Sequence, residues 1–165
     1  MSPPVTIYYD PKIDIEEIKQ LVPHVLETYG IELKEIKKQR LDLRFYNRRR
    51  KQFNGQKLLN KMIDKKNYSF FLWMVKSDIY VPAMNFVFGL ASEDYGAIVS
   101  FHRLQTSEMK AKESIHEYGH VLGLKHCQNK CVMQYSNTLK AAESKPSKLC
   151  EVCRKHIEFE SKKID

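Results

Sequence analysis

The stretch HEYGHVLGLKHC, His116 to Cys127, gathers three histidines, a glutamate and a cysteine. His116 and His120 are four apart, so on a helix their side chains stand one turn apart on one face. Two imidazoles so placed reach a single zinc ion at about 2.0–2.1 Å without strain. Glu117 projects beside them, off the ligand axis, which suits a general base toward water better than a third ligand. Gly123 stands where the helix must end, and its tolerance of positive φ lets the chain reverse. His126 then returns to the same ion. Three neutral imidazoles and one open position are the arrangement of catalytic rather than structural zinc. An exposed polar helix carrying solvated histidines is the alternative, and the agreement of helix breaker with third ligand weighs against it.

The four cysteines, Cys127, Cys131, Cys150 and Cys153, all fall in the last forty residues. Two disulfides would be unusual in a reducing compartment. The pairs CQNKC and CEVC, separated by a longer loop, read instead as a four-thiolate zinc site. Gly119 also needs a reason, because glycine inside a helix costs about 1 kcal/mol against alanine. Something should pack tightly there, and a strand of the sheet is the candidate. Ile115, Tyr118 and Leu122 lie on the helix side away from the histidines and should be buried. His24, His102 and His156 have no partners at ligand spacing.

These side chains need a frame. VTIYY reads as a first strand, and Ile13 to Tyr29 repeats apolar residues at helical spacing, with Asp14 as cap, Gly30 as stop and a kink at Pro23. A second strand falls within Ile31 to Phe45. Asn47 to Ile63 reads as a second helix, interrupted near Asn54-Gly55. Three strand-like runs follow: Ser69 to Val75, Asn85 to Ala91 and Ala97 to Phe101. The near-continuous apolarity of Asn85 to Ala91 favours a central strand; an edge strand offering its backbone to an extended substrate is the alternative. Thr106 or Ser107 caps the histidine helix, and a short last helix spans Ser147 to Phe159. Strands alternating with helices predict an α/β layer with a mostly parallel, twisted sheet.

Composition bounds the rest. At 165 residues, 42% hydrophobic, the chain suits one domain with its own core, and a disordered tail is excluded. No run approaches the roughly 18 apolar residues of a membrane helix. The opening residues carry no secretory pattern, so the expected place is the cytoplasm. The formal charge is +8, and its one dense run is Arg48-Arg49-Arg50-Lys51. Such a run contacts nucleic acid or an acidic partner, or is the solvated face of a helix. No RNA-binding or DNA-reading signature accompanies it, so the solvated face is preferred and nucleic acid is not expected as a partner.

HEYGHVLGLKH resembles the zinc-binding consensus HExxHxxGxxH of the metzincin metalloproteases. Met133, in CVMQY, matches the methionine that these enzymes carry in a tight turn under the metal. With Cys127 directly after the third histidine, Cys131 just before that turn, and LCEVC, the set looks like the archaemetzincin family of archaea and vertebrates. The resemblance covers Ile115 to Cys153, and VPAMNFVFGLAS, Val81 to Ser92, is similar to the strand region preceding the helix. The first eighty residues match only in the order of elements.

The resemblance implies a metzincin-like zincin fold of α/β (α+β) class: a twisted mixed five-stranded sheet, a backing helix, an active-site helix and a small zinc-stabilised C-terminal subdomain. One catalytic domain, 1–165, would divide into 1–125 with the sheet and active-site helix, and 126–165 with the Met-turn. It implies one catalytic zinc on His116, His120 and His126, and one structural zinc on Cys127, Cys131, Cys150 and Cys153. His126-Cys127 is then a hinge between two metal sites, and the thiolate site would fix the loop that presents His126. The implied activity is zinc-dependent hydrolysis of a peptide or protein substrate by a monomer, with Glu117 as general base and Met133 as apolar floor or, equally, a plain core methionine. Tyr135 resembles the Met-turn tyrosine of the astacin and serralysin branches, whose phenol stabilises the oxyanion; a buried structural tyrosine is the alternative. The competing function is a catalytically weak scaffold that binds protein or nucleic acid. Intact Glu117 favours the peptidase.

Overall fold

The computed structural model describes residues 2–65 and 69–163 and arranges them around a five-stranded sheet. β1 (Val5–Tyr9) lies inside it, as its β-branched and aromatic side chains favour. α1 (Ile15–Tyr29) follows, with the Asp14 carboxylate accepting the Glu16 N–H and Gly30 ending the helix at φ 61°. The helix runs through Pro23 and buries Ile18, Leu21, Val22 and Val25. β2 (Leu33–Lys38) returns parallel to β1 as one edge of the sheet.

The helix expected from Asn47 to Ile63 is only half present. β3 (Tyr46–Asn47) and β4 (Gln52–Asn54) form an antiparallel hairpin, and α2 (Gly55–Asp64) begins after it. The Asn47 side chain accepts the N–H groups of Arg49 and Arg50, and Lys51 takes φ 55°. These local bonds turn the chain where the run Arg48 to Lys51 reads in the sequence as the solvated face of a helix. Asn54 then caps α2 through the Lys57 N–H.

β5 (Phe70–Val75) lies parallel to β1 on one side and to β8 (Gly96–Ser100) on the other. β6 (Ile79–Tyr80) joins the hairpin in a small second sheet. The apolar run Asn85 to Ala91 is not a central strand. Only its end enters β7 (Gly89–Ser92), which pairs antiparallel with β8 alone and closes the sheet at the other edge. The run is apolar because Phe88 packs into one core while Val87 and Leu90 pack against the other. Three parallel pairs and one antiparallel edge make the sheet mixed, as expected.

The helices cover both faces. Leu72 and Met74 of β5 face the core that holds α1 and α3 (Ser107–Val121), whereas Phe71, Trp73 and Val75 face the core under α2. That alternation is the two-residue period of a strand. Thr106 caps α3 through the Met109 N–H. α4 (Leu139–Ser144), which no periodicity announces, and α5 (Glu151–Lys162) complete the chain. Cys131, Val132, Met133 and Cys153 belong to the same core as α1 and α3.

Candidate metal centre

The end of α3 builds the first cluster. His116 and Glu117 are buried and His120 half-buried on the helix. Gly123 takes φ 89°, its N–H donates to the His120 carbonyl, and the Leu124 N–H donates to the Gly119 carbonyl. This Schellman turn stops the helix and sends His126 back toward it. The ligand atoms of His116, His120 and His126 lie within 4.8 Å of one another.

Hydrogen bonds fix which nitrogens face inward. His116 Nδ1–H donates to the Val132 carbonyl at 2.8 Å, and His120 Nδ1–H donates to the Leu124 carbonyl at 2.7 Å. Both Nε2 atoms therefore present lone pairs, 3.2 Å apart. Two acceptors facing each other at that distance repel unless a cation lies between them. Two nitrogen ligands on a tetrahedral zinc stand about 3.3 Å apart, so the donor set fits that ion. Burial holds the His116 ring down to about 2, with the Lys145 ammonium adding to it, and burial also lowers His120 and His126. Neutral imidazole is the form a metal requires.

Glu117 lies against the backbone of β7: a Cβ on Gly89 would meet its Cγ at 2.7 Å. Burial, with the Glu113 carboxylate one turn earlier, pushes the Glu117 carboxyl up to about 8. Glu113 forms a 2.6 Å ion pair with Lys145, both side chains nearly inaccessible, and Lys145 Nζ lies 3.4 Å from His116 Nδ1. Sequence inspection assigns no part to either residue, nor to the carbonyls of Leu124 and Val132. Carbonyls leave no trace in residue identity.

Gly119 packs against something other than a strand. An added Cβ would meet Met133 Sδ at 2.5 Å and Tyr29 Oη at 2.6 Å. Met133 is fully buried, and the Tyr29 hydroxyl donates to the Ile115 carbonyl at 2.6 Å. The turn bearing Met133 and the backing helix α1 therefore grip α3 at its glycine. Ile115 and Tyr118 are buried, whereas Leu122 is only half-buried. Tyr135 is 54% exposed, its ring centroid 5.0 Å from that of His126, so it is no buried core tyrosine.

The second cluster is Cys127, Cys131, Cys150 and Cys153, whose sulfurs also lie within 4.8 Å of one another and form no disulfide. Cys127 and Cys150 Sγ are 3.7 Å apart, close to the roughly 3.8 Å that two thiolates on a tetrahedral zinc would show. The Cys153 N–H, helped by the Asn129 amide and opposed by burial, holds the Cys150 thiol down to about 6. Burial pushes Cys131 and Cys153 up. The clusters are joined twice: by His126-Cys127, and by Cys131-Val132-Met133, where Val132 accepts from His116 while its N–H donates to the Lys148 carbonyl.

A cleft of about 250 Å³ opens over the histidines, lined by Met84, Phe86, β7, Glu117 and Tyr135. A larger cavity of about 700 Å³ between α1, α3 and the start of α5 touches neither cluster, so the chemistry selects the smaller one.

The chain is similar to known proteins over most of its length. Residues 6–159 match the model of Peptidase family M54. The chain is 45% identical over 125 residues to the archaemetzincin of Nanoarchaeum equitans, covering 74% of each chain. It superposes on the crystal structure of archaemetzincin from Methanopyrus kandleri with TM-score 0.88 and 29% identity, covering 98% of this chain and 96% of that one. The archaemetzincin of Archaeoglobus fulgidus, crystallised with malonate, gives TM-score 0.83 and 32% identity over 92% of this chain and 98% of that one.

Proposed function

The chain belongs to peptidase family M54, the archaemetzincins, and from that premise we propose that His116, His120 and His126 hold its catalytic zinc and that Glu117 is the general base. The enzyme is a zinc metallopeptidase; the single observation that carries the residue assignment is the pair of Nδ1–H bonds to backbone carbonyls. They commit both Nε2 lone pairs to one point. Cys127, Cys131, Cys150 and Cys153 would hold the structural zinc.

Bound zinc supplies a Lewis acid for the scissile carbonyl and lowers the pKa of water. Glu117, next to His116 on α3 and lining the cleft, would take a proton from water and return it to the leaving amine. The free edge of β7 offers backbone groups to an extended peptide across the cleft. Glu117→Gln should keep the zinc content and lower kcat by about 10²–10⁴-fold, the usual weight of a general base. Full turnover in that variant rejects the assignment.

Tyr135 would steady the developing oxyanion, a role supported by its exposed ring in the cleft beside His126. Tyr135→Phe should lower kcat with KM nearly unchanged; an unaltered kcat removes the role. We read the chain as one domain, with 1–125 and 126–165 as parts of it, because residues of both share a core. No helix among the described residues is long and apolar enough to cross a membrane. Four cysteines free of disulfides suit a reducing cytoplasm. Cell fractionation tests that placement, and light scattering tests for a monomer of 19.5 kDa.

A further inference from the structure

The positive charge of this chain is concentrated. Residues 34–65 hold twelve Lys and Arg against three Asp and Glu, a net +9, whereas the whole chain carries +8, so the remainder sums to −1. In the fold this segment spans β2, the β3–β4 hairpin and α2, and eleven of its twelve cations are exposed. The run Arg48 to Lys51 is the turn of the hairpin, not a helix face.

One cation of that turn points back into the protein. Arg50 donates to the carbonyls of Met84 at 2.6 Å and Asn85 at 3.2 Å, and its guanidinium covers the Tyr80 ring at 3.9 Å. Gln52 donates to the same Asn85 carbonyl at 2.8 Å. The hairpin is thus fastened to the segment whose Met84 lines the cleft over the histidines. Arg48, Arg49 and Lys51 stand exposed on the same turn. Past the other end of β7 the chain runs into exposed Glu93 and Asp94.

We infer that the preferred substrates are acidic peptides, carrying Asp or Glu on the flank that crosses the Met84 end of the cleft. The inference rests on the peptidase reading and adds the substrate class. A nucleic acid strand meets the same charge, but the bonds tying Arg50 to the cleft rim favour a ligand that enters the cleft. Guanidinium and ammonium groups attract carboxylates most when salt is low.

Binding to zinc-loaded Glu117→Gln protein tests this without turnover. Three fluorescent peptides share one sequence, with glutamates on the N-terminal flank, on the C-terminal flank, or replaced by glutamines. One acidic peptide, and not the other, should bind about tenfold more tightly than the glutamine control, as roughly three exposed ion pairs of about twofold each would give. The ratio should fall toward one in R48Q/R49Q/K51Q, and again near 1 M salt, where the Debye length is about 3 Å. The reversed turn, R48E/R49E/K51E, should favour a lysine-flanked peptide instead. Equal binding of all three peptides overturns the inference, as does a preference that the substitutions leave intact. A single-stranded oligonucleotide whose binding needs the three cations, while acidic peptides bind no better than glutamine ones, overturns it in favour of nucleic acid. Absence of wild-type turnover would reject the peptidase reading alone, because these readouts are affinities.

Discussion

Glu117 keeps its place because residue 89 has no side chain. A Cβ there would meet Glu117 Cγ at 2.7 Å and the Ile98 carbonyl oxygen at 2.6 Å. The first could swing aside, but the second is backbone of a central strand. Gly89→Ala should therefore displace the carboxylate, and misplacement of a catalytic group by about 1 Å costs up to about 10²-fold in rate. The expected result is a large loss of kcat with both zinc ions retained, read by metal analysis beside peptide cleavage. Retained kcat would show that Glu117 does not act from the position seen here. The signal for Gly89 was absent from the sequence, where it is one small residue in an apolar run. Gly119 did signal a close approach, because a glycine inside a helix demands a reason, but it could not say which partner approached.

Between elements, the rim of the cleft depends on a polar bridge from the hairpin to the loop after β8. Asp78 accepts from Arg103 at 2.8 Å and from Gln52 at 2.9 Å. Arg103 lies 3.9 Å over the Phe86 ring, and Gln52 holds the Asn85 carbonyl. Burial alone would raise the Asp78 carboxyl; Arg103 and Gln52 more than offset it and hold it below its ordinary 3.8. A carboxylate with a depressed folded value stabilises the fold above its unfolded value. That contribution is lost as pH falls below about 4 through the folded one. Asp78→Asn should thus lower the melting temperature near neutral pH, and the gap from wild type should shrink as pH falls below about 4. A gap independent of pH would mean that packing, not charge, matters there. Apolar runs or periods made α1, β1, β5 and β8 legible in the sequence, the cap and histidine spacing marked α3, and β2 was placed only within Ile31 to Phe45. The sequence missed the β3–β4 hairpin, whose strands of two and three residues are too short to show a period.

Across the whole molecule, the two clusters share one loop. Val132 is covalently next to Cys131, its carbonyl orients His116, and the Cys127 N–H donates to the Met133 carbonyl at 2.9 Å. Emptying the thiolate site should loosen that carbonyl, and loss of such an orienting partner typically weakens a metal site by about 10–100-fold. Cys150→Ser should therefore reduce zinc affinity at the histidines, measured by competition with a chelator, besides lowering thermal stability. Unchanged affinity at the histidines would mean that the loop is held by its core contacts alone.

What the amino-acid sequence determined by itself is the chemistry of the donors. The pitch of a helix makes His116 and His120 neighbours whatever surrounds them. A glycine three residues on ends that helix, and four cysteines in two close pairs leave few other uses. Tertiary structure decided everything that depends on backbone brought from elsewhere. The Val132 carbonyl selects the His116 tautomer, Gly89 makes room for Glu117, β7 lies at an edge rather than in the centre, and Arg50 ties the Arg48–Lys51 turn to the Met84 backbone at the cleft rim. Periodicity reports which side chains are apolar, and a carbonyl looks alike under every residue type, so none of these placements could be read before the chain was folded.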